Sequence, residues 1–288
     1  MDRTKGIGGS DAAAACGLDP YRTPMQLYAE KRGETPGRTT SIPMMVGTLL
    51  DPLVVDLAER ELGEPITRRQ EVVYDPERPF LWATLDGATR NAVVQAKTTS
   101  MATDWGDPGT DEIPVQYLIQ VQHEMRVTGL GLAIVPVLFL GRELQIYKVE
   151  ADHELQKMVL ERELELWDRI QRGDPPDPQR AIDAVLRWPK DSGAKVTATP
   201  EVERLVRDLR EARAAIKELE EEKISLEDQL KVYIADASTL VSRDGHQLAT
   251  WKAQGVSRVD VKRLQAEAPE IAQRFTFTSS TCVLRLKK

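Results

Sequence analysis

The chain is poor in thiols. Of its 288 residues only Cys16 and Cys282 are cysteines, and they lie far apart. That excludes a disulfide framework, a four-cysteine zinc site and a four-cysteine iron–sulfur cluster. Long apolar runs are missing too. No window approaches the roughly 20 apolar residues of a membrane-spanning helix, and Met1-Asp-Arg-Thr-Lys-Gly6 has no apolar core of a secretory signal. The expectation is a cytoplasmic protein. Positive charge is not in excess: 39 Lys and Arg stand against 46 Asp and Glu, a net charge of −7. Bulk charge therefore excludes non-specific binding of polyanions, and any nucleic-acid site must be a local basic patch. Aromatics make up only 5% against 30% charged residues, an ordinary soluble composition with a helix-rich bias.

The most informative stretch present is Thr84–Ser100. Asp86 ends a short apolar segment just before Gly87, and nine positions on, after Val93-Val94, come Gln95, Ala96 and Lys97. Two strands joined by a tight turn would bring residues 86 and 95 side by side. Alternation along the second strand would put 95 and 97 on one face and Ala96 on the other. An acid, a second oxygen ligand and a lysine on one face is an arrangement that holds Mg²⁺ over a phosphodiester. Position 95 is an amide where that chemistry calls for a carboxylate. The bland alternative is a polar turn followed by a strand-end lysine, and the spacing alone does not separate the two.

Around this stretch the pattern predicts an α/β core with a mixed sheet flanked by helices. Ser10 reads as the N-cap of an alanine-rich helix, and Thr23-Pro24 starts a second. Residues 35–43 read as loop. A helix follows from about Met44 to Leu62 with Leu49, Leu53, Leu57 and Ala58 as its apolar positions. Strands are expected at 70–75, 81–85 and 92–98, a helix from Pro114 to Thr128, a hairpin of 133–140 with 143–150 across Gly141-Arg142, and a helix over 152–171. The expected domains are a core over 1–172, a proline-rich linker over 173–200 and a C-terminal region over 201–288. In that last region Leu205, Leu209, Ala212, Ile216, Leu219, Lys223, Leu226, Leu230 and Tyr233 form a heptad seam interrupted once, by Lys223. A hairpin around Asp244-Gly245, a helix near 259–274 and a strand at Thr281–Lys287 complete a small α+β appendage. The acids crowded into 201–228 are expected to leave the N-terminal part free to carry a basic groove.

Other residues join the constellation. Asp51 places an acid on the helix before the strands. Tyr117 and Gln120 share one face of the 114–128 helix, although a solvated face is the plainer reading for Gln120 and Gln122. Ser10, beside two glycines at a helix start, reads either as an anion nest or as a simple cap.

Taken together, Gly6-Ile-Gly-Gly-Ser-Asp-Ala-Ala-Ala14, the spacing Asp86–Gln95–Lys97 and Tyr117-Leu-Ile-Gln-Val-Gln-His-Glu-Met-Arg-Val-Thr-Gly129 resemble the YqaJ-type viral recombinases, relatives of phage lambda exonuclease in the PD-(D/E)xK nuclease superfamily. The resemblance covers about residues 1–170, with the three motifs in the family's order. It implies a PD-(D/E)xK core and digestion of the 5′ strand of linear duplex DNA with Mg²⁺ or Mn²⁺. The product would be a 3′ overhang for a single-strand annealing protein, in the cytoplasm of a bacterial host of a phage or prophage. It implies Asp51, Asp86, Gln95 and the Ala96 carbonyl as the metal set, with Lys97 and Gln120 completing the catalytic group. It also implies Arg3 and Ser10 as the grip on a 5′-phosphate, with Arg22 and Lys31 as weaker candidates. Asp51 stands where the family usually has Glu, and Gln95 falls on the catalytic Glu. An amide keeps the shape and loses the charge. Two accounts follow: an engineered inactive variant, which the otherwise complete site favours, or a natural protein with lost or altered catalysis. A non-catalytic DNA-end-binding scaffold on the same fold is the alternative function. The family often forms a ring-shaped trimer around DNA, so a homo-oligomer is expected. The heptad helix reads first as an intramolecular packing arm, and otherwise as a coiled-coil or partner-docking element.

Overall fold

The computed structural model describes residues 2–35, 40–140, 142–255, 257, 259–277 and 282–287. The chain divides into two compact units, Met1–Pro189 and Lys190–Lys288. The first contains β1 (Ile7–Gly8), α1 (Gly9–Ala15), α2 (Pro24–Lys31), α3 (Ile42–Leu62), β2 (Val72–Tyr74), β3 (Leu81–Thr84), β4 (Gly87–Ala88), β5 (Ala92–Val94), β6 (Lys97–Thr99), α4 (Val115–Thr128), β7 (Leu132–Phe139), β8 (Leu144–Glu150), α5 (His153–Arg172) and α6 (Ala181–Arg187).

These strands make two sheets. One has the order β1-β3-β2, with β1 parallel and β2 antiparallel to β3. In the other, β4 pairs with β5, and β5 and β6 both run parallel to β7 along one edge, with β8 antiparallel on its far side. The chain passes from the first sheet to the second in the two-residue step Leu85-Asp86.

Helices cover both faces of the second sheet. Val93, Ala133, Val135 and Val137 pack with Val121 and Met125 of α4. Ala92, Val94, Ala96 and Ile134 pack with Val54, Val55 and Ala58 of α3. Alternation along one strand thus feeds two apolar clusters.

The strand expected over 92–98 is interrupted at Gln95-Ala96, and Pro136 supplies the cause. A parallel ladder takes Gln95 N–H to the Ile134 carbonyl, which it does at 3.0 Å. The next bond would come from the N–H of residue 136, which a proline lacks. The register nevertheless carries through, with Val94 opposite Ile134 and Lys97 opposite Val137.

Several other expectations need correction. Helix α1 starts one residue before Ser10, with Gly8 as its N-cap, so Ser10 is not the cap. Leu49 and Leu53 of α3 are exposed, Leu49 to 76%, because Val54, Val55 and Ala58 are the residues that face the sheet. The stretch 173–200 is not all linker. It holds α6, whose fully buried Asp183 accepts from Thr23 Oγ1 at 2.6 Å and from the N–H groups of Gln179 and Arg180. The unit boundary accordingly falls after Pro189. The charge distribution also differs from expectation. Met1–Pro189 holds 21 Lys and Arg against 30 Asp and Glu, a net −9, whereas Lys190–Lys288 holds 18 against 16. The acidity therefore lies in the first unit.

The second unit contains α7 (Pro200–Ile234), a hairpin of β9 (Thr239–Val241) and β10 (Gln247–Thr250), α8 (Val261–Glu267) and α9 (Pro269–Arg274). The helix expected over 259–274 is split at Ala268, since the residue before a proline is driven out of helical geometry. The expected closing strand is not formed over residues 282–287, and Thr281 lies outside the described residues, as does Gly141 of the first unit's hairpin.

Candidate active site

The antiparallel pairing of Gly87 with Val94 puts residue 86 opposite residue 95. Gln95 Nε2 donates to Asp86 Oδ2, and Ala96 N–H donates to the same oxygen at 2.9 Å. The side chain of Asp86 thus continues the ladder just beyond the end of β4. Gln95 is buried, and its Oε1 has no hydrogen-bond partner. Val93 packs against Val121 and Met125 of α4, and Lys97 Nζ reaches Gln120 Oε1 of the same helix at 3.3 Å. The same ammonium lies 4.9 Å from the centre of the Tyr117 ring. Gln120 is therefore not on a solvated face. Neither is Gln122, which is buried and holds Glu150, Asp152 and Gln156.

One residue of this site escaped the sequence analysis. Glu124, one turn beyond Gln120, is 1% exposed. Its Oε1 accepts from Gln120 Nε2 at 2.9 Å, and its Oε2 has no partner. Gln120 therefore bridges Lys97 and Glu124, with its amide orientation fixed by both. The only signal in the sequence was the four-residue spacing from Gln120, which places both on one helix face.

Burial and mutual repulsion act on the acids together. Burial and the nearby Asp86 push the Asp51 carboxyl up to about 6, against the pull of Lys97. Burial raises Asp86, with Lys97 and the Ala96 and Gln95 donors opposing. Burial pushes Glu124 up to about 7, helped by Asp86 and resisted by Gln120 and Lys97. Carboxylates raised in this way are held short of positive charge.

Among the described residues, no group of three or more His, Cys, Asp or Glu converges closely enough to hold an ion. The oxygens the structure does bring together are the Asp86 carboxylate and the orphaned amide oxygen of Gln95, with the Asp51 carboxyl near enough to feel the charge of Asp86. Such a set suits a hard divalent cation. The Gln95 amide would have to turn over for its oxygen to face one, because it now directs N–H at Asp86.

The residues matched to 5′-phosphate binding gather around Asp11. Arg3 Nη2 donates to Ser10 Oγ at 2.6 Å and lies 3.8 Å from Asp11. Arg22 donates to the Ser10 carbonyl, to Asp11 at 2.8 Å and to Glu30 at 2.9 Å. Lys31 Nζ donates to Asp11 Oδ2 at 2.6 Å. Burial alone would raise Asp11, but Lys31 and Arg22 override it and hold the carboxyl at about 2. Arg22 and Lys31 are thus buried and paired, while the Arg3 side chain is 67% exposed. Asp19 also pairs with Arg22, at 3.9 Å, so the three cations are balanced by Asp11, Asp19 and Glu30, and Arg3 is the cation left exposed.

The glycines before Ser10 answer to packing. A Cβ on Gly6 would sit 2.0 Å from the Phe80 carbonyl oxygen, one on Gly8 2.8 Å from the Trp82 indole nitrogen, and one on Gly9 2.8 Å from Glu124 Oε1.

The model of the YqaJ-like viral recombinase domain matches residues 1–131. A protein of Bacillus subtilis (strain 168), named YqaJ and described as uncharacterized, is 30% identical over 287 residues, which span 95% of this chain and 88% of that protein. The chain belongs to the YqaJ-like family. Among solved structures, the alkaline exonuclease LHK-Exo from Laribacter hongkongensis has a similar fold, with a TM-score of 0.50, 17% identity and coverage of 60% of this chain and 91% of that one. LHK-Exo in complex with dAMP gives a TM-score of 0.51 at the same identity and coverage. The YqaJ-like chain thus shares the fold of LHK-Exo, a mixed α/β core whose sheets are flanked by helices.

Proposed function

We propose that this protein is a divalent-cation-dependent exonuclease of DNA recombination. It engages the end of linear duplex DNA, digests the 5′ strand and leaves a 3′ overhang for a single-strand annealing protein. The observation that carries this reading is the group Asp86, Gln95, Lys97 and Gln120 at the step between the two sheets, in a chain of the YqaJ-like family.

Asp51, Asp86, Gln95 Oε1 and the Ala96 carbonyl would hold Mg²⁺ or Mn²⁺. Such an ion acidifies water and neutralises charge on a phosphodiester. Lys97, held by Gln120 and the Tyr117 ring, places a fixed ammonium where the attacked phosphate gains charge. Arg3 and Ser10 receive the 5′-phosphate, Arg3 being the exposed cation of its cluster. Assembly as a ring-shaped homo-oligomer around DNA, probed by sedimentation, belongs to the same reading.

The amide at 95 lowers the negative charge of the site. Gln95→Glu should raise Mg²⁺-dependent digestion of linear duplex DNA at least ten-fold, and Asp86→Ala in that background should abolish it. In the same background, ends with a 5′-phosphate should be cut faster than 5′-hydroxyl ends, and Arg3→Ala should shrink the difference. A second reading, an end-binding scaffold without catalysis, draws support from the Gln95 amide donating to the carboxylate an ion would need. If Gln95→Glu still binds DNA ends and still fails to cut, the scaffold reading replaces the first.

A further inference from the structure

Position 95 lacks a charge, and among the described residues a buried carboxylate on α4, Glu124, has one oxygen without a hydrogen-bond partner. Glu124 is enclosed on α4, hydrogen-bonded through one oxygen to Gln120 and through the other to nothing. Leaving a buried carboxylate oxygen unpartnered costs free energy, and an isolated buried charge costs more. The structural role of holding Gln120 needs only one of the two oxygens. Gln120 joins Glu124 to Lys97, accepting from the ammonium at 3.3 Å and donating to the carboxylate at 2.9 Å, which ties Glu124 to the cation site. The other orphaned oxygen, Gln95 Oε1, belongs to the residue bonded to Asp86. Two unpartnered buried oxygens thus belong to one site, Gln95 being bonded to Asp86 and Glu124 joined to Lys97 through Gln120.

We propose that Glu124 supplies to the cation site the negative charge that the amide at position 95 does not carry. The inference rests on the nuclease reading and deepens it. With Glu124 ionised, Asp51, Asp86 and Glu124 give three negative charges. A divalent cation and the Lys97 ammonium give three positive ones. Without Glu124 the same site is one charge short. Gly9 fits this role, because any side chain there would press on the Glu124 carboxylate.

The test is a reciprocal swap in the full-length protein, with Mn²⁺ binding read from the electron paramagnetic resonance signal of the free ion. Unfolding is followed in parallel by circular dichroism. Glu124→Gln keeps an oxygen for Gln120 and should remain folded, yet weaken Mn²⁺ binding at least ten-fold. Adding Gln95→Glu to Glu124→Gln should restore binding to within a few-fold of the parent. Glu124→Gln binding Mn²⁺ as tightly as the parent would overturn the inference, and so would a loss that Gln95→Glu does not repair. A parent that binds no Mn²⁺, beside a Gln95→Glu variant that does, would overturn this inference and leave the fold's nuclease chemistry standing. No binding in any of the variants would remove the metal-nuclease reading itself. Should Glu124→Gln not fold, Glu124→Asp keeps the charge and is expected to retain binding. Its loss, in a folded protein, would count against the role of charge.

Discussion

Single residues in this protein are set by close approach and by uncompensated charge. Gly6 is the clearest case of the first. Its added Cβ would lie 2.0 Å from the Phe80 carbonyl oxygen and 2.2 Å from the Trp82 ring, so β1 could not stay against β3. Gly6→Ala should cost about 1–3 kcal/mol, as overpacked cores do, measured by urea unfolding. Glu124 and Asp51 illustrate the second. Their folded-state values, about 7 and about 6, lie above the ordinary 4.5 and 3.8. The folded state therefore holds protons that the unfolded chain releases, and their contribution is most favourable below about pH 4. It fades as pH rises through 6 and 7. Without divalent cation, the melting temperature should fall between pH 5 and pH 7.5 by several degrees. Glu124→Gln should flatten the upper part of that slope, and added Mn²⁺ should recover stability. A melting temperature flat across this window would refute the assignment.

The elements divide into those legible from local pattern and those that depend on what packs where. The pairing of Asp86 with residue 95 followed from strand alternation and a short turn, because both are local. Asp11 and Glu124 were not legible, since a charged residue inside a helix pattern reads as solvent-facing. Their burial arises only when α1 and α4 meet, with Gly9 against Glu124 and Lys31 and Arg22 closing on Asp11. The break between β5 and β6 was hidden for the same reason. Its cause is a proline in a different strand. Helix α6 was obscured by prolines on both sides. Its attachment to α2 depends on Asp183, which is buried, accepts from Thr23 and caps two N–H groups. Asp183→Ala should cost about 2–3 kcal/mol, in the range for buried hydrogen bonds to a charged group, with unfolding midpoint as the readout. A chain ended after Arg172 should be destabilised as well, because it lacks α6 altogether.

At the scale of the molecule, the first unit carries the core and the acidity, and the second a slight positive excess. Met1–Pro189 contains the two mixed sheets, the three largest apolar clusters and the candidate active site, yet it bears a net −9. Lys190–Lys288 is slightly basic, and the excess lies after α7's acidic middle: from residue 229 onward, 10 Lys and Arg face 5 Asp and Glu. Along α7 the apolar seam is exposed at Leu205, Ile216, Leu219, Leu226, Leu230 and Tyr233. A heptad seam left open in this way buries itself only by pairing. A chain ended after Pro189 retains every element of the first unit, so it should be soluble and melt cooperatively. It should also be less associated in sedimentation than the full chain, because the open seam is gone. Its duplex DNA affinity should fall, and most at low salt, because the acidic unit repels the phosphates and the basic segment no longer offsets it. Equal affinity of the two forms at 50 mM and 200 mM salt would mean that the first unit, with its exposed Arg3, suffices for DNA binding. A truncated form that is unfolded would mean instead that the second unit is part of the first unit's core.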